Sequence, residues 1–330
     1  MTYQTGTPSS TKDLIDIFIA FAVAEAGFTL GNEWTFAAST AWVPASGSSS
    51  NWKGRALLRD SQYVYLCWPT DGSGNPSAAT NRVAMNSGTN NPTTGLPSAQ
   101  TSAGETMIVE MGTAPLKYWM FSDGNGCHCV AEWVGGAYQH ISIGMMQKYG
   151  SFAGGVYVTG SANNRQTLTS GNYYDWDSSR HGRPFDAWDA AATGNDSNPG
   201  HLRADYSGQR IHAFGQRTSS PGFVASNLHM RLNSADSSSQ LYARSPSSYN
   251  ARAALIPIEL IISQTDSANP ASWIPVGRVN NAAYIRMLNL IPTQTILTDW
   301  MVFPVSAKNA GGTPAIGYVN SANLGMAYKK

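Results

Sequence analysis

Short apolar runs separated by turn-forming residues recur along the chain, most clearly between residues 117 and 160. The aromatic run Tyr118–Phe121 ends at the pentapeptide Ser122–Gly126, whose composition tolerates positive φ angles and favours a tight hairpin. Apolar runs resume at Cys127–Val134 and at Tyr138–Met146. Three short runs divided by turn residues predict a β-meander and argue against a helix.

One segment near the N-terminus has apolar residues at the spacing of an α-helix, and we predict a helix there. Its apolar residues recur three and four positions apart: Leu14, Ile17, Phe18, Phe21 and Ala22. Ser10 or Thr11 can cap the helix, Asp13 suits the dipole of its first turn, and Gly27 can end it. A polar arm, residues 2–10, precedes this predicted helix.

Further strands are predicted on both sides of two long polar stretches. They cover 56–59, 63–68, 105–112, 116–121, 252–263 and several runs from 275 onward, including 300–304 and 324–328. Pro257 predicts an edge or a bulge in its strand. The stretch 69–104 predicts a long surface excursion, and 161–248 predicts long loops or an inserted lobe.

These patterns predict a mainly β protein, an antiparallel β-sandwich or barrel-like meander with one N-terminal α-helix and long loops. The expected organisation has four parts. They are an arm and helix (1–28), the first part of the β core (29–160), a polar loop-rich insertion (161–250) and the C-terminal part of the core (251–330).

Composition narrows the class of partner. Only 12% of residues are charged, against about 25% in ordinary globular domains. Two explanations stay open: a surface largely covered by neighbouring subunits, or an exterior of Ser, Asn and Thr. The net charge of +1 without a block of like charges argues against nucleic-acid binding.

The remaining composition bears on compartment. Residues 14–24 form an apolar run too short to cross a bilayer, and the adjoining acidic residues argue against membrane insertion and against a signal peptide. Three cysteines give no disulfide framework and suit assembly in a reducing cytoplasm.

The tripeptide Cys127-His128-Cys129 suggests a metal site, because cysteine and histidine are common zinc ligands. In a strand, however, the two sulfurs would share one face and His128 would take the other. A structural zinc site also needs further ligands, and Cys67 is the one other cysteine. The pattern therefore favours buried, small apolar cysteines.

A second candidate site combines carboxylates with aromatic rings. Its residues are Tyr173, Tyr174, Asp175, Trp176, Asp177, Asp186 and Trp188. Paired carboxylates beside aromatics could bind a glycan or cleave it by acid–base catalysis, and an interface loop has the same composition. Phosphate-loop, dinucleotide and hydrolase motifs do not occur, so we predict neither a cofactor nor an enzyme.

Several motifs, taken in order, resemble a family of virion structural proteins from tailed bacteriophages. They are Tyr3-Gln4-Thr5-Gly6-Thr7, Lys12-Asp13-Leu14-Ile15-Asp16, Tyr118-Trp119-Met120-Phe121, Asp123-Gly124-Asn125, Val130-Ala131-Glu132-Trp133 and Ala137-Tyr138 followed by Gly144. The resemblance continues in the turn Pro292-Thr293-Gln294-Thr295-Ile296, the strand Trp300–Phe303 and the ending Ala327-Tyr328-Lys329. It covers roughly half of the chain.

The resemblance implies a structural component of the virion, in the tail tip or baseplate region, assembled in the host cytoplasm. Its expected partners are other tail and baseplate proteins and copies of itself, as a trimer or hexamer. A receptor-binding tail protein that recognises a host surface glycan is the alternative, and a glycan hydrolase is a further one.

Overall fold

The structure is a computed structural model of the 330-residue chain. It describes residues 1–36, 51–60, 62–70, 82–90, 97–100, 107–110, 115–134, 136–161, 184–185, 200–205, 212–213, 224–226, 255–266, 269–287, 290–304 and 324–330.

One helix and twenty strands occur in these ranges. In chain order they are β1 (Thr2–Gly6), α1 (Thr11–Glu25), β2 (Thr29–Phe36), β3 (Asn51–Arg59), β4 (Gln62–Thr70), β5 (Arg82–Asn90), β6 (Pro97–Gln100), β7 (Met107–Glu110), β8 (Lys117–Ser122), β9 (Gly126–Val134), β10 (Ala137–Met145), β11 (Gln147–Lys148), β12 (Ala153–Gly160), β13 (Gly200–Asp205), β14 (His212–Ala213), β15 (Val224–Ser226), β16 (Ile256–Asp266), β17 (Asn269–Arg286), β18 (Thr295–Ile296), β19 (Trp300–Pro304) and β20 (Leu324–Lys329).

The strands form three antiparallel sheets, so the predicted mainly β class with one N-terminal helix is confirmed. The central sheet has the order β1-β8-β9-β10-β12-β13-β14. The C-terminal sheet has the order β15-β16-β17-β20-β19-β18, with β11 added to β17. The N-terminal sheet has the order β2-β3-β4-β5-β6, with β7 also on β5.

Strands β8, β9, β10 and β12 of the central sheet are largely buried on both faces, because most of their side chains are apolar on both. One face packs under α1 and the N-terminal sheet in a first core that includes Phe18, Leu66 and Met120. The other face packs on the C-terminal sheet in a second core that includes Phe121 and Phe303. Met120 and Phe121 are neighbours in β8, so consecutive side chains of one strand enter different cores.

The predicted meander is confirmed, and its first turn has a clear cause. β8 and β9 pair from Ser122↔Cys127 to Lys117↔Glu132. The Asp123 side chain accepts hydrogen bonds from the backbone N–H groups of Asn125 (2.9 Å) and Gly126 (2.7 Å). Gly124 has a φ of 85°, a conformation in which a side chain would be strained.

The helix prediction is also confirmed in its details. Ser10 is the N-cap, and its side chain accepts from the backbone N–H of Asp13. Gly27 follows the last turn with a φ of 67°. The arm before the helix is more ordered than its polar sequence suggests, because it forms β1 and pairs with β8 from Thr2↔Ser122 to Gly6↔Tyr118.

Two polar stretches contain more structure than the sequence predicts. Part of the supposed excursion 69–104 is strand β5, which pairs with β4 and buries Val83 and Met85. The stretch 161–248 supplies β13 and β14 to the central sheet and β15 to the C-terminal sheet. A strand with few bulky residues gives a weak local signal, and pairing with a strong neighbour compensates for it.

Pro257 lies at an irregular point of the C-terminal sheet, as predicted. The register between β16 and β17 shifts between Pro257 and Ile258, because proline has no N–H to donate to the ladder. The neighbouring runs that the sequence shows after residue 269 are one continuous strand of 18 residues, β17.

Arg59 links the N-terminal sheet to both the helix and the meander. Its guanidinium donates to the backbone oxygens of Ala26 and Asn125 and to the side-chain oxygen of Asn125. It also lies 5.7 Å from the ring centroid of Phe28. A single cation thus satisfies carbonyl groups at the end of α1 and in the β8–β9 hairpin.

Replacing Gly144 with alanine should destabilise the fold by about 1–3 kcal/mol, the usual range for an overpacked core position. A Cβ atom there would lie 2.7 Å from the Asn125 carbonyl oxygen, the Gly126 Cα and the Tyr157 hydroxyl. Urea unfolding of Gly144→Ala would measure the loss. Gly150→Ala is the control, because a Cβ there meets nothing within 4 Å; equal stability of both variants would contradict the prediction.

Candidate functional site

The most developed polar arrangement in the described part of the chain lies between the central and C-terminal sheets. His128 and His140 extend from β9 and β10 into the second core, and both are fully buried. Cys127 and Cys129 point into the first core. The alternation predicted for Cys127-His128-Cys129 is therefore confirmed, because a strand sends successive side chains to opposite faces.

His128 has a partner on each ring nitrogen. Its Nδ1 lies 2.8 Å from the Ser142 hydroxyl, and its Nε2 lies 2.6 Å from the Asn281 side-chain oxygen. Asn281 belongs to β17 and also donates from its Nδ2 to the Gly126 carbonyl at 3.3 Å. One imidazole and one amide thus connect the central sheet to the C-terminal sheet.

His140 makes a second connection of the same kind. Its Nδ1 lies 2.8 Å from the Tyr328 hydroxyl of β20, and its Nε2 lies 2.8 Å from the Pro304 carbonyl at the end of β19. The Tyr328 ring lies 5.0 Å from the His128 ring and 5.8 Å from the His140 ring. Tyr328 therefore contacts both histidines from the opposite sheet.

Burial keeps both imidazoles neutral at pH 7. Desolvation lowers the pKa of His128 to about 4, although the hydrogen bond to Asn281 and the charge of Asp123 oppose it. Desolvation likewise lowers the pKa of His140 to about 4, with the Pro304 hydrogen bond opposing and His128 reinforcing the effect. Burial also raises the pKa of Tyr328 and of Tyr157.

The partners determine which nitrogen carries the proton. Pro304 offers a carbonyl and Asn281 its side-chain oxygen, and both groups only accept. Each histidine must therefore donate from Nε2, and each Nδ1 accepts from a hydroxyl, of Ser142 or Tyr328. A second proton, on Nδ1, would require each hydroxyl to rotate and accept instead, and burial disfavours the charge that this proton adds.

Ser142, His128 and Asn281 follow one another as the hydroxyl, imidazole and amide of a nucleophilic triad do. All three side chains, however, are at most 1% exposed. A carbonyl substrate could not approach the Ser142 oxygen in this arrangement. The physical effect of the network is to join the central sheet to the C-terminal sheet.

The cysteines are buried thiols. Cys67, Cys127 and Cys129 are all free, and burial raises the pKa of each thiol. Among the described residues, no group of three or more histidine, cysteine, aspartate or glutamate side chains could hold a metal ion. Cys127 and Cys129 fill space in the first core as small apolar side chains, and Cys67 is buried as well.

The predicted aromatic and acidic site residues, Tyr173, Tyr174, Asp175, Trp176, Asp177, Asp186 and Trp188, lie outside the described residues. Within that stretch, Pro184 and Phe185 are described. The Phe185 ring is fully buried, 5.3 Å from the Tyr157 ring and 6.3 Å from the His128 ring.

Backbone contacts hold the same dipeptide. The Phe185 N–H donates to the Thr159 hydroxyl at 2.9 Å, and the Tyr284 hydroxyl donates to the Pro184 carbonyl at 2.8 Å. Phe185 has a φ of 63°, which is unusual for a bulky residue. No local sequence signal marks the burial of Phe185, because it is one of several aromatic residues in this stretch.

In the part of the chain that the structure describes, no helix is both long and apolar enough to cross a membrane. Comparison of the sequence with protein-family models and with curated proteins finds no match in either set.

Proposed function

We propose that this chain is a structural component of a tailed-phage virion, in the tail tip or baseplate region. It would act by holding a fixed shape while its edges pack against copies of itself and other tail proteins. The observation that carries the proposal is the sequence resemblance, whose motifs fall on a single connected part of the fold.

The location of these motifs supports a shared architecture. They occupy β1, α1 and the strands β8 to β10, and then the turn before β18 together with β19 and β20. These elements form the central sheet's first four strands, the helix above them and the facing edge of the C-terminal sheet. Matches scattered by chance would have no reason to fall on elements that pack together on the two faces of the central sheet.

The interior polar groups described above hold the fold together, which suits a protein whose role is to keep a fixed shape in an assembly. The buried histidines and asparagine are occupied in joining sheets. Exposed large apolar side chains, by contrast, occur on strand edges and turns, among them Leu30, Leu116, Tyr149, Ile291 and Leu297. In an assembled particle these side chains would be covered by neighbouring proteins.

Purified particles test the proposal. We expect quantitative mass spectrometry to find the chain at a fixed copy number that is a multiple of three, and electron microscopy to show its three sheets at the tail tip. Detection in infected cells together with absence from washed particles would refute the proposal. A nonstructural phage protein produced at a similar level is the control for carry-over.

The glycan-binding alternative rests on the stretch that contains Tyr173 to Trp188. Phe185 gives it one specific support, because it anchors this stretch to the core immediately before Asp186 and Trp188 in the sequence. A glycan-array signal abolished by Trp176→Ala and Trp188→Ala would favour a receptor-binding protein. Glycan turnover abolished by Asp177→Asn or Asp186→Asn would favour a hydrolase. Neither signal is expected if the chain is purely structural.

A further inference from the structure

Strand β1 forms an open edge of the central sheet. It pairs with β8 along its whole length, and no described strand pairs with its other side. The side chains of Tyr3, Gln4 and Thr5 are exposed, and Tyr3 is 36% exposed although it packs on Phe121. Backbone donors and acceptors on this side are therefore accessible to a further strand.

This edge lacks the devices that usually prevent strands from pairing. Thr2–Gly6 contains no charged residue and no proline, and its register with β8 runs without a bulge. The other long edge strand, β2, has both a charge, Glu33, and a register shift between Leu30 and Glu33. The described edge strands β14, β15 and β18 have two or three residues each, too few for a stable ladder.

Exposed apolar side chains flank β1. Met1 is 59% exposed at its beginning, and Leu116 is 52% exposed just before β8, which lies beside the end of β1. Lys330 joins β1 to the C-terminal sheet, because its Nζ lies 5.5 Å from the Tyr3 ring centroid and 2.7 Å from the Thr295 hydroxyl. The hairpin that contains Thr295 also exposes Leu297, by 59%.

We infer that β1 pairs antiparallel with β1 of a second copy of this chain, across a two-fold axis at Gln4. A two-fold axis brings Gln4 opposite Gln4 and Tyr3 opposite Thr5 of the copy, which pairs all five residues. Such self-pairing would be unfavourable for a charged strand, and β1 carries no charge. The two central sheets then form one continuous antiparallel sheet.

The choice of a second copy as the occupant rests on the proposed assembly function, in which many copies meet in one particle. An open sheet edge binds an extended strand through main-chain hydrogen bonds, whichever protein supplies that strand. Self-pairing relates two copies by a two-fold axis. This axis would exist in addition to the threefold or sixfold axis expected from the class of particle.

Charge exchange at Gln4 tests the pairing. In analytical ultracentrifugation the wild-type chain should dimerise, and Gln4→Lys and Gln4→Glu should each weaken the dimer about tenfold or more, because like charges then face each other. An equimolar mixture of the two variants should restore dimerisation. Ala20→Lys and Ala20→Glu are the controls, since Ala20 is exposed on α1 and these changes should leave the dimer unaltered.

Disulfide cross-linking through an introduced cysteine is a second test of the pairing, and it does not require a measured dimer affinity. Residues opposite each other in an antiparallel pair have Cα atoms about 4.5–5.5 Å apart, within the range of a disulfide. Gln4→Cys should form a disulfide-linked dimer on mild oxidation, while Ala20→Cys should not. The native cysteines are buried and should not interfere.

The outcomes separate this inference from the proposed function. A wild-type monomer without cross-linking through Gln4→Cys overturns the β1 pairing, and so does a dimer insensitive to charge at Gln4. If such a chain is still found in purified particles, the proposed function survives alone. If Gln4→Cys cross-links in solution but the protein is absent from purified particles, the β1 pairing survives and the proposed function is refuted. Cross-linking of Gln4→Cys to a different tail protein would assign the edge to another occupant and refute self-pairing.

Discussion

Lowering the pH from about 7 to about 4 should destabilise the protein by about 3 kcal/mol for each of His128 and His140. Burial lowers the pKa of both imidazoles to about 4, against an ordinary value of 6.5. Between these two values the unfolded chain binds protons that the folded chain does not. Stability is therefore fully present above pH 6.5 and is lost as the pH falls toward 4.

The geometry explains why the folded protein cannot easily take up these protons. His128 faces Ser142 on its own sheet, Asn281 and Tyr328 on the other, and the Phe185 ring, with Asp123 as the acidic group that influences it. His140 faces Tyr328 and the Pro304 carbonyl. Two neighbouring imidazolium ions would also repel each other in a medium of low dielectric constant.

Urea unfolding across this pH range would measure the effect. His128→Gln and His140→Gln are the informative variants, because each should remove about half of the histidine-dependent slope and the double variant nearly all of it. Comparison with the wild type at each pH cancels the contribution of surface carboxylates. A slope that is the same in the double variant and the wild type would show that these histidines are not the cause.

Phe303→Ala should cost about 3–5 kcal/mol of folding free energy, the range for removing a buried aromatic ring. Phe303 is fully buried at the centre of the second core. Its ring lies 5.2 Å from that of Trp119, 5.7 Å from Tyr138 and 6.0 Å from Phe121, all on the central sheet. Loss of the ring would leave a cavity between the central and C-terminal sheets, and these packed sheets would relax only partly to fill it.

Chemical denaturation of Phe303→Ala and Phe303→Leu would separate cavity formation from a general effect of substitution. The leucine variant keeps most of the volume, so we expect a loss of about 1 kcal/mol. Ile291→Ala is the surface control, since Ile291 is 72% exposed and its truncation should change stability by less than about 0.5 kcal/mol. Similar losses at Phe303 and Ile291 would contradict the central position of Phe303.

Local sequence determined the elements whose causes are local. Asp123 and Gly124 dictate the hairpin through side-chain hydrogen bonds and a positive φ. Ser10 and Asp13 dictate where α1 begins. Alternation in β9 places His128 on the opposite face from Cys127 and Cys129, because strand geometry alone determines it.

Tertiary structure decided which of these residues meet. His128 and Asn281 are 153 positions apart, and β1 finds β8 across more than 110 residues. Nothing in a local pattern specifies such pairs, since they depend on strand order and register across the whole fold. The same holds for β5, whose weak apolar pattern predicted a surface loop, and for Phe185, whose burial depends on Tyr157 and Thr159.

The sequence by itself thus determined the mainly β class, the capped helix, the turn of the meander and the opposite faces of His128 and its two neighbouring cysteines in β9. Tertiary structure decided that two histidines would be buried, neutral and joined to a facing sheet, and that the N-terminal arm would be an open edge strand. The physical reason is that turns, caps and alternation arise from forces between near neighbours. Burial and pairing arise from contacts that exist only once distant segments have come together.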